Sequence, residues 1–314
     1  MKSDTYPKVT ILLATFNRAY LILETLTSIK NQTFINFECL ITDDNSTDDT
    51  EIVVNKFIKT DSRFYYFKKP KKYHQGLSAT RNFGLDLAQN RNAEFIQFFD
   101  DDDIMHPQKL ELQIQGLLST DADFSLCAST RFFEKCEITN ESKKLYRFNH
   151  FADDYFLGKI HFGAPIPIFR FTYINKNRFD TALHYAEEWV CFTQLFYHYY
   201  PKVVLFDKVL FYQRKHSNSI TLGKDEDLKK AKSSKVSNLL IAQYLNKYSI
   251  HTILSARILA GIFLFVIRDF QVVDGILKQI KTNNLSKLLF YEIKIFKLMI
   301  HFQRKIYLKI SSWF

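Results

Sequence analysis

The sequence has few cysteines, and their spacing excludes the sites that cysteine usually builds. Cys39, Cys127, Cys136 and Cys191 are the four in 314 residues. No two of them are spaced as a zinc knuckle or a redox pair. Unpatterned cysteines in a chain of this length are typical of buried free thiols. We therefore expect a protein of a reducing compartment.

Long apolar runs, repeats and low-complexity stretches are also missing. The run over residues 9–16 is short, ends at Asn17-Arg18 and offers no small-residue cleavage site, so we interpret it as a strand and not a signal peptide. The longest later apolar stretch, residues 258–267, is too short for a membrane span. Apolar residues make up 46% of the chain, which supplies a core and argues against disorder.

Acidic residues are scarce at the C-terminal end. The net charge of +10 alone does not choose between nucleic acid, anionic lipid and phosphorylated substrates. From Lys281 onward, however, seven Lys or Arg stand against one acid, Glu292. A basic face and an apolar face alternate there at helical spacing: Lys287, Lys294, His301, Lys305 and Lys309 against Leu289, Ile293, Phe296, Ile300, Ile306 and Ile310. The pattern fits a helix on an anionic membrane surface or one packed on a catalytic domain.

Strand and helix patterns alternate through the first hundred residues. Near-continuous apolar runs predict buried strands over residues 9–16, 37–42, 63–67 and 93–99. Helical periodicity lies between them, over residues 20–32, 46–60 and 77–89, and a later helix and strand are predicted over 185–200 and 203–214. This alternation indicates an α/β fold with a mostly parallel sheet flanked by helices.

Polar clusters follow three of the predicted strands, after Phe16, Thr42 and Phe99. Because ligands bind beyond the carboxyl ends of such strands, these clusters should converge on one crevice. The last cluster is four consecutive aspartates, Asp100, Asp101, Asp102 and Asp103. Their repulsion would be relieved by Mg²⁺ or Mn²⁺, with a diphosphate completing the coordination. The alternative is a solvated acidic turn.

Two further segments carry candidate ligand-binding residues. Asp44 ends the second strand and can accept a hydrogen bond from a base N–H or a ribose hydroxyl. A helix cap is the alternative, although Ser46 can serve as one. Gly76 permits close backbone approach or a positive φ. Arg81, one turn into the next helix, can reach a nucleotide or the acid cluster, or lie on the surface.

Downstream, the pair Glu187 and Glu188 opens a helix. Two acids there favour the helix dipole, or one of them acts as a general base towards an attacking hydroxyl. His216 follows the last predicted strand and can ligate a metal or contact a phosphate, with Arg214 beside it. A structural histidine is the alternative.

Taken together, the ordered segments resemble the family 2 glycosyltransferases, which have the GT-A fold. The matching stretches run from Val9 to about Ile220: Val9 to Arg18, Gln32 to Phe34, Asp43 to Asp48, Gly76 to Asn82, Asp100 to Asp103 with Pro107, Glu187 to Trp189, and Tyr212 to His216 with Ser219. Each piece is weak alone, and their order and spacing make the set specific.

The resemblance implies a role for each candidate residue. Thr15, Phe16 and Asn17 would line a nucleotide pocket in which Asp44 bonds the base, with Gly76 and Arg81 beside it. Asp100 and Asp101 would contact the ribose or support the residues that bind the ligand, and Asp102 would contact the metal. Glu188, or Glu187 next to it, would be the catalytic base, and His216 would approach the metal or diphosphate.

We therefore expect an inverting, metal-dependent glycosyltransferase that moves a sugar from a UDP-sugar to a saccharide or lipid-linked saccharide in cell-surface polysaccharide synthesis. The catalytic domain is predicted over residues 1–222 and a basic, helical region over 223–314. We expect the protein in the cytoplasm, at the inner face of the cell membrane, with no nucleic-acid partner. The alternatives are a sugar nucleotidyltransferase, although no glycine-rich loop follows the first strand, and a basic nucleic-acid-binding protein, whose phosphate ligand the aspartates would repel.

Overall fold

The computed structural model describes residues 8–145, 147–148, 150–156, 158–215, 260, 270–282 and 286–311. They belong to two compact units, Met1–Ser233 and Ser234–Phe314.

The first unit is a sheet with helices between its strands. Its strands are β1 (Val9–Thr15), β2 (Phe37–Asp43), β3 (Phe64–Lys68), β4 (Phe95–Asp100), β5 (Ile104–Met105), β6 (Phe124–Phe132), β7 (Ile168–Arg170) and β8 (Val203–Arg214). Its helices are α1 (Ile22–Lys30), α2 (Thr50–Ile58), α3 (Leu77–Asn90), α4 (Lys109–Leu118), α5 (Phe151–Phe156), α6 (Phe171–Ile174) and α7 (Glu187–Tyr199).

The eight strands form one sheet in the order β3-β2-β1-β4-β7-β6-β8-β5. The apolar run of β1 is buried throughout, because β1 pairs in parallel with β2 on one side and β4 on the other. In this register Thr15 lies opposite Asp43, and Ala14 lies opposite Asp100. The predicted convergence of three polar strand ends at one sheet edge is confirmed.

The other half of the sheet contains antiparallel pairs. β7 pairs antiparallel with both β4 and β6, and β5 pairs antiparallel with β8. The predicted α/β fold is confirmed. The four parallel strands β3, β2, β1 and β4 continue into β7, β6, β8 and β5, among which both parallel and antiparallel pairs occur. β5 and β7 have only two and three residues, too few for a period-2 pattern to reveal them.

Aromatic residues fill much of the core on this side. Phe124 packs against Phe151, Phe169 and Phe196 at centroid distances between 5.0 and 5.5 Å. All four rings are buried, so part of the high aromatic content is explained by packing. Of the cysteines, three are buried free thiols as expected, whereas Cys136 is only half-buried.

In the second unit, α8 (Phe270–Thr282) and α9 (Lys287–Ser311) pack against each other. Val273 and Ile276 of α8 are buried, as are Leu289 and Ile293 of α9. The sequence allows the apolar face of this helix to lie on a membrane or to pack on protein, and Leu289 and Ile293 of that face are buried within the protein. None of the helices among the described residues combines the length and the apolarity needed to cross a bilayer.

Candidate active site

The loops that follow β1 and β2 are joined by hydrogen bonds into one rim. The N–H of Asn17 donates to Ser46 Oγ at 2.9 Å, and Asn17 Oδ1 accepts the N–H of Thr47 at 2.8 Å. Asn17 and Asn45 have φ values of 52° and 63°, a left-handed conformation that asparagine tolerates better than most residues. Asn17, a predicted cofactor-binding residue, thus holds the two loops together.

Asp44 is buried behind this rim and has two protein partners. Its Oδ2 accepts the N–H of Gly76 at 2.7 Å, and its Oδ1 forms an ion pair with Lys69. Gly76 is the N-cap of α3 with φ of 120°, which favours glycine, so the positive φ is the alternative that the structure shows; nothing lies within 4 Å of where a Cβ atom would be. Lys69 is a site residue that the sequence interpretation missed, since a lysine at the end of a strand is usually exposed.

The aspartate cluster lies next to these loops, and hydrogen bonds tie it to the surrounding chain. Asp100 accepts from Arg81 at 2.9 Å, Asp101 accepts the N–H of Phe16 at 3.2 Å, and Asp103 accepts the N–H of Arg214 at 2.8 Å. Asp101 also lies 3.2 Å from Arg18. The strand ends of β1, β4 and β8 are thus joined through carboxylates, which is more than a solvated acidic turn would require.

The cluster concentrates negative charge. Burial raises the pKa of Asp101 to about 7, and the charge of Asp102 adds to the effect. Burial, with Asp102 again contributing, raises the pKa of Asp103 well above its ordinary value and also raises the pKa of Asp100, against the opposing effect of Arg81. The half-buried Asp102 is the negative charge that acts on all three neighbours.

Arg81 is buried and joins the aspartate cluster to the two glutamates that are candidates for the catalytic base. Its Nη1 lies 2.8 Å from Glu187 Oε1, and its Nη2 lies 2.9 Å from Asp100 Oδ1. Arg81 therefore reaches the acid cluster, and the alternative that it lies on the surface is wrong. The same ion pairs place the start of α7 beside the end of β4.

The two glutamates at the start of α7 differ in environment. Glu187 is buried against Arg81, whereas Glu188 is half-buried. Burial and the charge of Glu187 raise the pKa of Glu188 well above that of an ordinary glutamate, although Arg81 opposes this. Ala186, just before them, has φ of 61°, a strained conformation for alanine of the kind often found at functional sites.

Two further predicted residues that the structure describes, Thr15 and Phe16, lie at the same edge. Thr15 is buried at the end of β1, and its carbonyl accepts the N–H of Asp44 at 2.9 Å. The side chain of Phe16 is 39% exposed and presents an aromatic face at the rim. His216 lies outside the described residues.

The fit of a metal ion depends on where its ligands would come from. Within the described parts of the chain, no three His, Cys, Asp or Glu side chains are grouped to hold one. Magnesium and manganese sites that serve phosphates need only one or two carboxylates, because the substrate supplies further oxygens. The charge concentrated around Asp102 suits such a site, with the metal bound together with a diphosphate.

Comparison with known proteins identifies the family to which the chain belongs. The model of the family described as "Glycosyl transferase family 2" matches residues 10–180. The chain belongs to glycosyltransferase family 2. The matched region contains every predicted nucleotide-site residue from Thr15 to Asp102 and ends before Glu187. Membership favours glycosyl transfer over the two alternative functions.

A curated relative and two solved structures are similar to this family 2 glycosyltransferase. The GalNAc(5)-diNAcBac-PP-undecaprenol beta-1,3-glucosyltransferase of Campylobacter jejuni is 30% identical over 226 residues, which cover 69% of this chain and 68% of that protein. The structure of S. aureus TarS residues 1–349 with UDP-GlcNAc aligns with a TM-score of 0.63 at 18% identity, covering 94% and 89% of the two chains. The mannosyltransferase PcManGT of Pyrobaculum calidifontis, with GDP-Man and Mn²⁺, aligns with a TM-score of 0.52 at 15% identity, covering 99% and 84%.

Proposed function

We propose that this glycosyltransferase transfers a sugar from a UDP-sugar to a lipid-linked saccharide with inversion, using a divalent metal. The observation that carries the proposal is that Arg81 forms two ion pairs, one with Asp100 and one with Glu187. They bring the aspartate cluster and the two glutamates of α7 to the same sheet edge, where a donor and an acceptor would have to meet. The relative whose name includes undecaprenol supports a lipid-linked acceptor.

The nucleotide is proposed to bind at the rim between β1 and β2. The ring of Phe16 offers a stacking face, and Asp44 offers carboxylate oxygens to an N–H of the base. Thr15, Asn17, Gly76 and Arg81 would shape this pocket, and Asp100 and Asp101 would face the ribose. The UDP-GlcNAc held by TarS supports uracil as the base.

Asp102 is proposed to hold Mn²⁺ or Mg²⁺, with His216 a further candidate ligand. A divalent ion at this position supplies positive charge to the leaving diphosphate. The Mn²⁺ in PcManGT supports this cofactor.

Glu188 is proposed as the general base, and Glu187 as the residue that anchors it. A carboxylate with a raised pKa accepts a proton more readily, whereas Glu187 is committed to Arg81. As the acceptor oxygen bonds to the anomeric carbon, its proton passes to Glu188, and the bond between that carbon and the diphosphate oxygen breaks to release UDP. Attack from the face opposite the diphosphate inverts the configuration.

Titration calorimetry with UDP tests the metal and nucleotide parts of the proposal. We expect binding in Mn²⁺ that EDTA abolishes and that Asp102→Asn weakens at least about tenfold, with the fold intact. Asp121→Asn is the matched control, because Asp121 is an exposed acid paired only with Lys202 among the ion pairs described. Equal UDP affinity in EDTA, or full affinity in Asp102→Asn, would contradict the role of Asp102.

A membrane contact through α9 is proposed as well, because a lipid-linked acceptor lies at a membrane. Although Leu289 and Ile293 are packed, a second apolar stripe on α9 is exposed: Leu288, Tyr291, Ile295 and Leu298, at steps of three and four. Exposed Lys287 and Lys294 lie along one edge of this stripe. An apolar stripe with a basic edge is typical of helices that lie in the surface of an anionic bilayer. The proposed location is the cytoplasmic face of the cell membrane.

A further inference from the structure

A fully buried lysine lies in the core of the first unit. Lys109 opens α4 and has no exposed surface. Its Nζ donates to Gln97 Oε1 at 2.7 Å, to the carbonyl of Ile166 at 2.9 Å and to Gln113 Oε1. An ammonium group has three N–H donors, so all three are used on neutral oxygens.

This arrangement is costly, because no carboxylate is among these partners. A buried ammonium without a counter-charge loses its hydration and regains only part of it from neutral acceptors. Burial accordingly lowers the pKa of Lys109 to about 8. The Cys127 thiol on β6 is the titratable group that acts on it among the described residues. Stability alone therefore does not explain a lysine at this position.

The partners of Lys109 hold one segment of chain in place. Gln97 on β4 donates to the carbonyl of Pro165 at 2.9 Å, and Lys109 donates to the next carbonyl, that of Ile166. Gln113 contacts Ile166 at 3.3 Å and is fixed to Ser125 on β6 at 3.1 Å. The carbonyls of Pro165 and Ile166 are thus held by a buried cluster that spans β4, α4 and β6, and the N–H of Ile166 donates to the carbonyl of Gly163 at 3.2 Å.

The same segment lies against the proposed base. A Cβ atom added to Gly163 would lie 3.9 Å from Glu188 Oε1. The backbone of Gly163 therefore forms a wall close to that carboxylate. A small displacement of the wall would change the space available to the acceptor.

We propose that Lys109 is a positioning residue for the acceptor side of the site, which it serves by fixing residues 163–166 against Glu188. The inference rests on the proposed role of Glu188. The charged form supplies three donors to three acceptors, whereas the neutral amine supplies only two. The wall should therefore loosen when Lys109 loses its proton.

A fluorescence experiment tests this without any substrate. Trp189 follows Glu188 and stacks on Phe156 with ring centroids 5.5 Å apart, and Trp313→Phe leaves it as the single tryptophan. In that background we expect Lys109→Met to raise acrylamide quenching of Trp189 about twofold or more without lowering the midpoint of urea unfolding. Unchanged quenching, or a rise that accompanies a lower midpoint, overturns the proposal. Exposed Lys56→Met is the matched control.

The pH dependence of Trp189 emission is a second test, because a merely structural lysine would not produce it. With Glu188→Gln added to silence that carboxyl, Trp189 emission should change near pH 8. Gln97→Glu supplies a carboxylate to Lys109 and should move the transition to higher pH, and Lys109→Met should remove it. A transition that persists in Lys109→Met contradicts the proposal.

Kinetics then separate this proposal from the proposed function. With UDP-glucose and an undecaprenyl-diphosphate-linked N-acetylhexosamine as probes, Lys109→Met should lower kcat/KM for the lipid about tenfold and leave UDP affinity within about twofold. An equal loss of UDP affinity contradicts a role confined to the acceptor side. If the unaltered protein transfers no sugar from UDP-glucose to this lipid, this pairing of donor and acceptor is wrong, and the fluorescence result still decides the role of Lys109.

Discussion

Arg81 donates a hydrogen bond of 2.8 Å to Glu187, a residue 106 positions later in the chain. The contact is buried, and the other side of the guanidinium is bonded to Asp100 at 2.9 Å. One cation thus neutralises an acid from the end of β4 and an acid from the start of α7. The distance between the proposed donor and acceptor sides of the site depends on this side chain.

Replacing Arg81 by Met should cost about 3 to 5 kcal/mol of unfolding free energy, because it leaves buried Glu187 and half-buried Asp100 without their cation. Adding Glu187→Gln to that variant should restore part of the loss, since one of the two charges is then gone. Urea unfolding of the two single variants and the double variant measures the coupling. Arg178→Met, in a pair where both side chains are more than a third exposed, should cost less than about 1 kcal/mol. A loss at Arg81 no larger than at Arg178 would contradict the buried bridge.

The sequence predicts this edge of the sheet well for a physical reason. Strands buried on both faces need near-continuous apolar runs, and such runs predict β1, β2 and β4. Once these strands are parallel, their polar ends must lie side by side, as Asp43 and Asp100 do on either side of β1.

What the sequence does not reveal are the partners of buried charges. Lys69 and Lys109 look like ordinary surface residues in the sequence, and the sequence left open whether Arg81 reaches the acid cluster or the surface, because burial of a cation depends on acceptors supplied by distant segments. Lys109 meets Ile166 only because the three-residue strand β7 inserts between β4 and β6, and so short a strand carries no pattern. The different environments of Glu187 and Glu188 likewise follow from Arg81.

A second prediction concerns the pH dependence of transfer. Glu188 must be deprotonated to act as a base, and its pKa is raised, so activity should rise with pH over a range above that of an ordinary glutamate. Glu187→Gln removes a neighbouring negative charge and frees Arg81 to act on Glu188. Both effects lower the pKa of Glu188, so the acidic limb of kcat against pH should move to lower pH.

The substitutions Glu187→Gln and Glu188→Gln also separate the roles of the two acids. Glu188→Gln should lower transfer by at least about a hundredfold while UDP affinity in calorimetry stays within about twofold. If instead Glu187→Gln abolishes transfer and Glu188→Gln is mild, the base is Glu187 and the assignment is wrong by one residue.

A third prediction concerns Lys69. Its Nζ donates to the carbonyl of His74 at 2.7 Å and to Thr80 at 3.1 Å, and it forms the ion pair with Asp44, so its donors are used within the protein. Lys69→Met should therefore disturb Asp44 and weaken UDP binding about tenfold or more, without removing a direct contact to the nucleotide. Lys68→Met is a matched control, because Lys68 is exposed and pairs with exposed Glu51. Equal effects of the two variants on UDP affinity would show that Lys69 does not position Asp44.

The last prediction concerns the exposed stripe on α9. Each lysine near an anionic leaflet contributes on the order of 1 kcal/mol to binding, and the apolar side chains add their transfer from water. Tyr291, Ile295 and Leu298 are 60%, 56% and 61% exposed, so replacing them by Ser should leave the packing with α8 intact. We expect the triple variant to lose most of its co-sedimentation with vesicles of anionic lipid.

The matched control is Ile35→Ser with Ile52→Ser in the first unit, where both side chains are at least as exposed. Loss of vesicle binding in this control as well would mean that general surface apolarity, and not α9, attracts the protein to lipid. Unchanged binding in the α9 variant would exclude the stripe as the contact. Binding that is equally strong to neutral vesicles would contradict the contribution of Lys287 and Lys294, because only an anionic surface attracts them.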